Sequence, residues 1–342
     1  MLTLAPQQPL ISGPPPRAIA LTLVPSPPRL YSPKPMLHGY IPPQRFFAYL
    51  TWTAIRDMAH KDTVVLVQPV GAIEQHGPHL PLGVDATIAL GVLGSALERL
   101  DPHIPAYALP PLYYGKSNEH WQFPGTISLT AQTLIATLME MGESVYQAGF
   151  RKLVLMNGHG GQPQIMEIVA RDLHQRHGDF WVFPWFVWRV PNSTNQWLTP
   201  QEQELGIHAG DAETSLLLSL LPDQVNLEAA VAEYPQGLPR DGVLSLEGAL
   251  PFAWMTRDLS RSGVIGDPTT ASRTKGDRIL ESLTEGWVQA LTAAYHFQPP
   301  QAYSPQENPG AIAKEPPLDA AHPDTGKSSQ GNQAREIKPR HK

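Results

Sequence analysis

Between residues 63 and 296, short apolar β-branched runs alternate with segments of helical period, and this alternation most restricts what the chain can fold into. TVVLVQPV (63–70) suits a strand buried on both faces. ATIALGVLGSALERL (86–100) has helical periodicity, with Asp85 placed to cap its N-terminus. A second strand is expected within 105–113 and a helix over 130–148, ending at Gly149. KLVLM then runs into the glycine-rich NGHGG, followed by a helix over 163–177. FWVFPWFVWR (180–189) reads as an aromatic strand interrupted by Pro184. Helices are expected from Asp211 to residue 221 and over 269–296. Such order predicts an α/β fold with a mostly parallel sheet covered on both faces. Ligands in such sheets bind where strands end.

Proline marks the limits of this pattern. Of the 37 prolines, ten fall in residues 1–36 and eight in 298–342. Proline removes backbone donors and fixes φ, so these flanks build neither helix nor sheet ladders. The expected organisation is a Pro-rich disordered leader (1–39), a folded domain (40–297) and a disordered polar tail (298–342). Cysteine is absent, which rules out disulfides, thiolate metal sites and a cysteine nucleophile, and fits a cytoplasmic protein. A net charge of −6 with no basic patch argues against nucleic acid. No apolar run approaches the roughly 20 residues of a membrane span, so no membrane partner is expected.

Three His/carboxylate clusters fall where strands should end. In GAIEQHGPHLPLGVD (71–85), Glu74 and His76 are two apart and project to the same side of an extended segment. Asp85 returns after a Pro/Gly loop as a possible third ligand, although a helix cap explains Asp85 by itself. In NGHGG, His159 is a candidate metal ligand among three glycines; phosphate binding is the weaker reading, because the Walker lysine and the GxGxxG spacing are both missing. In HAGDAETS, the helix dipole explains Glu213 blandly. The functional alternative gives Glu213 to a metal or a water and His208 to proton transfer. Without cysteine, His and carboxylate ligands favour zinc, manganese or iron(II).

EQHGPHLPLGVD, NGHGG and HAGDAETS, with YYGKSNEHWQFPGTISLT (113–130) and GVIGDPTTAS (263–272), resemble the motifs of the creatininase (creatinine amidohydrolase) family over about 45–296. The resemblance implies a three-layer α/β/α sandwich, a homo-oligomer and a divalent metal centre, zinc or else manganese or iron(II), with one or two ions per subunit. It makes Glu74, His76, Asp85 and His159 metal ligands, with Asp85 a bridge, and His208 a catalytic proton carrier. Creatininase itself carries a ligand glutamate where this chain has Gly161, so the chain resembles an NGHGG branch that includes formamide deformylases and a peptidase of the mycofactocin precursor. Glu213 is the candidate for the missing carboxylate, either as ligand or as catalytic group. His120, Gly160 and Gly161 are candidates to line the substrate site, with Glu119 beside them.

The implied activity is hydrolysis of a non-peptide C–N bond in a small amide, formamide or cyclic amide by a metal-activated hydroxide. Trimming of a small peptide is the alternative, and a non-catalytic metal-binding relative is a third. Trp185 and Trp188 are expected in the core, and His174, His177 and His296 on the surface.

Overall fold

The computed structural model describes residues 37–238 and 243–300. The expected leader and tail lie outside these residues, apart from a few positions at their inner ends. Among the described residues, four strands form one parallel sheet: β1 (Val65–Val70), β2 (Ala106–Ala108), β3 (Lys152–Asn157) and β4 (Trp181–Phe186), in the order β2-β1-β3-β4. The helices are α1 (Trp52–Arg56), α2 (Val84–Arg99), α3 (Ala131–Gln147), α4 (Pro163–Arg176), α5 (Pro200–Leu205), α6 (Asp211–Leu220), α7 (Thr256–Leu259) and α8 (Arg273–His296).

The pleat of β1 and β3 sorts their side chains into two cores. Val65, Val67, Val154 and Met156 face α2, α6 and α8, while Leu66, Val70, Leu153 and Leu155 face α3 and α4. Helices therefore cover both faces of the sheet, giving the three-layer α/β/α arrangement. Trp287 of α8 is fully buried in the first core and donates from Nε1 to Val187 O at 3.0 Å. Truncating a buried side chain of this size costs about 3–5 kcal/mol. Among the described residues, no helix is long and apolar enough to cross a membrane.

Some expectations change. Strand β4 runs unbroken through Pro184, which pairs in register with Leu155. It is an edge strand, so a missing N–H is tolerated there. Strand β2 is only three residues long, because Pro110 and Pro111 follow close behind it. The last helix begins at Arg273, capped by Ser272 Oγ, which accepts from Lys275 N. Asp85 caps nothing: the N-cap of α2 is Gly83, and Asp85 lies in the first turn with its carboxylate directed elsewhere. Trp185 and Trp188 are half-buried against the first core. His174 and His177 are half-buried with partners, Phe180 O and Glu143 respectively, rather than free on the surface.

Candidate metal centre

The carboxyl ends of β1 and β3 lie side by side, with Val70 opposite Asn157. The segments leaving them carry Glu74-Gln75-His76 and His159. Helices α2 and α6 bring Asp85 and Glu213 in their first turns, where the partial positive charge of a helix N-terminus favours carboxylates. Gly158 permits the junction: a Cβ there would lie 2.6 Å from Asp85 O. Asn157 braces the NGHGG turn, accepting from His159 N (3.0 Å) and donating to His159 O (2.7 Å). Gln162 ties three segments together, donating to Gly71 O and Asn157 Oδ1 and accepting from Lys116 N. Glu202 of α5 plays a similar part on the opposite side, accepting from Asp211 N, Asp267 N and Tyr234 Oη. Sequence reading singled out neither residue.

The charged groups converge in near-complete burial. Glu74, His76, Asp85 and His159 are 1%, 0%, 3% and 3% exposed. Asp85 Oδ1 lies 3.4 Å from His76 Nε2, and Asp85 Oδ2 lies 3.4 Å from His159 Nδ1. Glu74 Oε2 lies 3.1 Å from His159 Nδ1, and Glu213 Oε2 lies 3.9 Å from His76 Nε2. Two separate donor sets emerge, Glu74–Glu119–His159 and His76–Asp85–Glu213, with Asp85 reaching toward both; a third, Glu74–His76–His208, overlaps them. Asp211, within the same motif as Glu213, turns away and pairs with Lys275, pinning α6 to α8.

These contacts are not ordinary hydrogen bonds. Glu74 Oε2, His76 Nε2, Asp85 Oδ2 and Glu119 Oε1 are buried and lack any hydrogen-bond partner. Buried polar atoms are normally satisfied, and leaving one unpaired costs about 1–3 kcal/mol. Ligand atoms at about 2.0–2.2 Å from a zinc ion stand about 3–4 Å apart, as these do. The donor set of imidazole and carboxylate suits zinc, manganese or iron(II). A divalent cation therefore fits the residues present.

Hydrogen bonds on the far ring nitrogens orient the imidazoles. His76 Nδ1–H donates to its neighbour's carbonyl, Glu74 O, at 3.2 Å, leaving the Nε2 lone pair facing the carboxylates. His159 Nε2–H donates to Lys116 O at 3.0 Å, leaving Nδ1 inward. Burial disfavours a charged His76, but Asp85, Glu213 and Glu74 outweigh it and raise its pKa to about 9. His159 is likewise raised, its burial outweighed by Glu74, Asp85 and Glu119. Glu213 is pushed up to about 7, chiefly by burial.

Gln75 lies between two further histidines. Its Oε1 accepts from Gly77 N, so its amide nitrogen faces Gly263 O, His120 Nδ1 and His208 Nε2 at 2.9–3.1 Å. His208 Nε2 also lies 2.7 Å from Gln75 O, an acceptor only, so Nε2 must carry the proton. Of the amide protons of Gln75, one goes to Gly263 O. His120 Nδ1 also lies 2.8 Å from Thr256 Oγ1, and its Nε2 is 3.5 Å from Glu74 Oε1; His208 presents an Nδ1 lone pair, 3.9 Å from the same oxygen. Burial, with His120 and His76 nearby, holds His208 well below the usual imidazole range. Burial also lowers His120. Of the residues expected to line the substrate site, His120 is buried beside Glu74, Gly161 is half-buried and Gly160 is exposed. His79 lies apart, its Nε2 2.9 Å from Thr214 Oγ1, and stays neutral because burial lowers it to about 4.

The model of the Creatininase family, described as creatinine amidohydrolase, matches residues 48–291. The chain belongs to the creatininase family. It is 34% identical over 261 residues to the creatinine amidohydrolase of Pseudomonas putida, covering 72% of this chain and 95% of that one. It is 32% identical over 248 residues to the mycofactocin precursor peptide peptidase of Mycolicibacterium smegmatis, covering 70% and 89%. Among solved structures, "Creatininase Mn" superposes with a TM-score of 0.61 at 30% identity, covering 74% of this chain and 99% of that one. This creatininase-family hydrolase thus shares its fold over nearly the whole of its relatives.

Proposed function

We propose that this creatininase-family chain is a metal-dependent amidohydrolase that cleaves a non-peptide C–N bond in a small amide, formamide or cyclic amide. One observation carries the reading: four buried donor atoms, on Glu74, His76, Asp85 and Glu119, converge without hydrogen-bond partners. The enclosure of Glu74, His76 and Asp85 favours a compact substrate over an extended one. When bound, a divalent cation supplies Lewis acidity for a carbonyl and makes water a competent nucleophile near neutral pH.

Glu74, His76, Asp85, His159 and Glu213 would hold such a cation, with Asp85 lying between His76 and His159. The neutral His208 accepts the proton of the attacking water at Nδ1. It then returns that proton to the leaving nitrogen, so the proton count closes within the cycle. His120, whose Nε2 lies beside Glu74, positions the substrate by a hydrogen bond from its ring. Glu213 accepts from Ala209 N at 2.7 Å, which holds it as a ligand rather than a mobile proton carrier.

Cleavage of a short peptide is the second reading, favoured by the 32% identity to the mycofactocin precursor peptide peptidase. Zinc-, manganese- and iron(II)-loaded protein should be assayed against formamides, cyclic amides and short peptides. Turnover confined to the amides supports the first reading; turnover confined to peptides replaces it with the second. Metal-loaded protein inactive on all three classes contradicts both.

A further inference from the structure

Gly161 is a position where a side chain would meet another residue's carboxylate. A Cβ built on it would lie 1.8 Å from Glu119 Oε1 and 2.5 Å from His159 Nε2. Glu119 reaches this space from a different part of the chain, the single turn Asn118–His120 between β2 and α3. Its residue is only 9% exposed, and its Oε1 is buried without a hydrogen-bond partner. Oε1 lies 2.9 Å from His159 Nε2, a nitrogen that also faces Lys116 O at 3.0 Å. The other oxygen, Oε2, faces Lys116 Nζ at 3.6 Å, on the more exposed side. The backbone is also fixed, since Glu119 O accepts from Thr256 Oγ1 at 2.9 Å. One carboxylate oxygen is thus directed into the donor set with Glu74 and His159.

We infer that Glu119 is a metal ligand of the Glu74–His159 half, and that the missing side chain at Gly161 is what makes room for it. The carboxylate that a residue at 161 would bring from the β3–α4 turn is delivered here from the β2–α3 segment. This rests on the metal-dependent reading above. On this inference the replacement is Glu119 rather than Glu213, which groups with His76 and Asp85.

The test is metal binding by chelator-stripped full-length protein, measured by calorimetric titration with Mn²⁺ and by the visible spectrum of added Co²⁺. Circular dichroism and thermal unfolding of the metal-free proteins verify folding. Glu119→Ala should lose one class of binding site, or weaken it at least tenfold, and alter the Co²⁺ spectrum. Glu119→Gln should be equally deficient, because an amide is a poor replacement for an anionic ligand; near-wild-type binding by Gln would assign Glu119 to orienting His159 and overturn the inference. Gly161→Ala, which adds a single methyl group against Glu119 Oε1, should show the same defect in a folded protein. The exchange Glu119→Ala/Gly161→Glu should regain the lost site, and an exchange that binds no better than Glu119→Ala counts against it. Wild-type protein that binds no metal sinks the underlying reading as well. Wild-type binding with an unchanged Glu119→Ala sinks this inference alone.

Discussion

Asp85 Oδ1 lies 3.4 Å from His76 Nε2, and the carboxylate's other oxygen is the same distance from His159 Nδ1. Neither Asp85 Oδ2 nor His76 Nε2 has a hydrogen-bond partner. In the metal-free protein, protons take up this negative charge, which is why His76 is raised to about 9. Metal binding must expel them. Affinity for Mn²⁺ or Zn²⁺ should therefore fall steadily as pH drops below 9. Calorimetry in buffers of different ionisation enthalpy should detect proton release at pH 7.5, and no release would contradict the arrangement.

The same shifts set the stability of the metal-free protein. A histidine raised from 6.5 to about 9 stabilises the fold below pH 6.5, and that contribution disappears as pH rises through 9. Glu213, raised to about 7 by burial, acts in the same direction up to that pH. The Tm of metal-free protein should fall between pH 6.5 and 9. Saturating metal should remove or reverse this slope, because the cation replaces the protons. A scan of Tm against pH, with and without metal, tests the sign.

His208 is buried, kept neutral and held by Gln75 O with its lone pair facing Glu74. His208→Asn should lower kcat by about 10²–10⁴-fold while leaving metal content unchanged. Elemental analysis beside steady-state kinetics separates loss of a proton carrier from loss of the metal.

Gln75 sits between His120 and His208, its amide nitrogen 2.9 Å from His120 Nδ1 and 3.0 Å from His208 Nε2. Gln75→Leu should leave Gly263 O without its donor and Gly77 N without its acceptor, costing about 1–3 kcal/mol of stability. It should reduce kcat more than KM changes, with metal still bound. Nitrogen chemical shifts of the two imidazoles would report the tautomers directly.

Gly158→Ala places a methyl group 2.6 Å from Asp85 O, a backbone atom that cannot swing aside. The overlap should cost about 1–3 kcal/mol and shift Asp85 away from His159. Denaturant unfolding and metal titration should both register the change.

Much of this was legible in the sequence where periodicity was strong. Helices α2, α3, α4 and α6 fall within two residues of their expected limits, because their apolar faces and flanking glycines are unambiguous. Irregular backbone was harder to read. Strand β2 shrinks to three residues, since its sequence does not say where pairing stops before Pro110. Asp85 looks like a helix cap because it opens an apolar helical run, and only the fold reveals histidines on either side of it. Glu119 lies in a turn between elements, and nothing local distinguishes it from a loop carboxylate. The signal that identifies it is non-local: a glycine 42 positions later, empty where its oxygen sits. Gln75 passes as a polar spacer between two ligands because its role depends on His120 and His208, 45 and 133 residues away.

The central claim is that the buried, unpaired donors on Glu74, His76 and Asp85, together with His159, form a metal centre. Elemental analysis of purified wild-type protein, beside His76→Ala/Asp85→Ala, tests it most directly. The account predicts near-stoichiometric divalent metal in the wild type, lost in the double variant while the fold persists by circular dichroism. Wild-type protein without metal, even after reconstitution with zinc, manganese and iron(II), would contradict it.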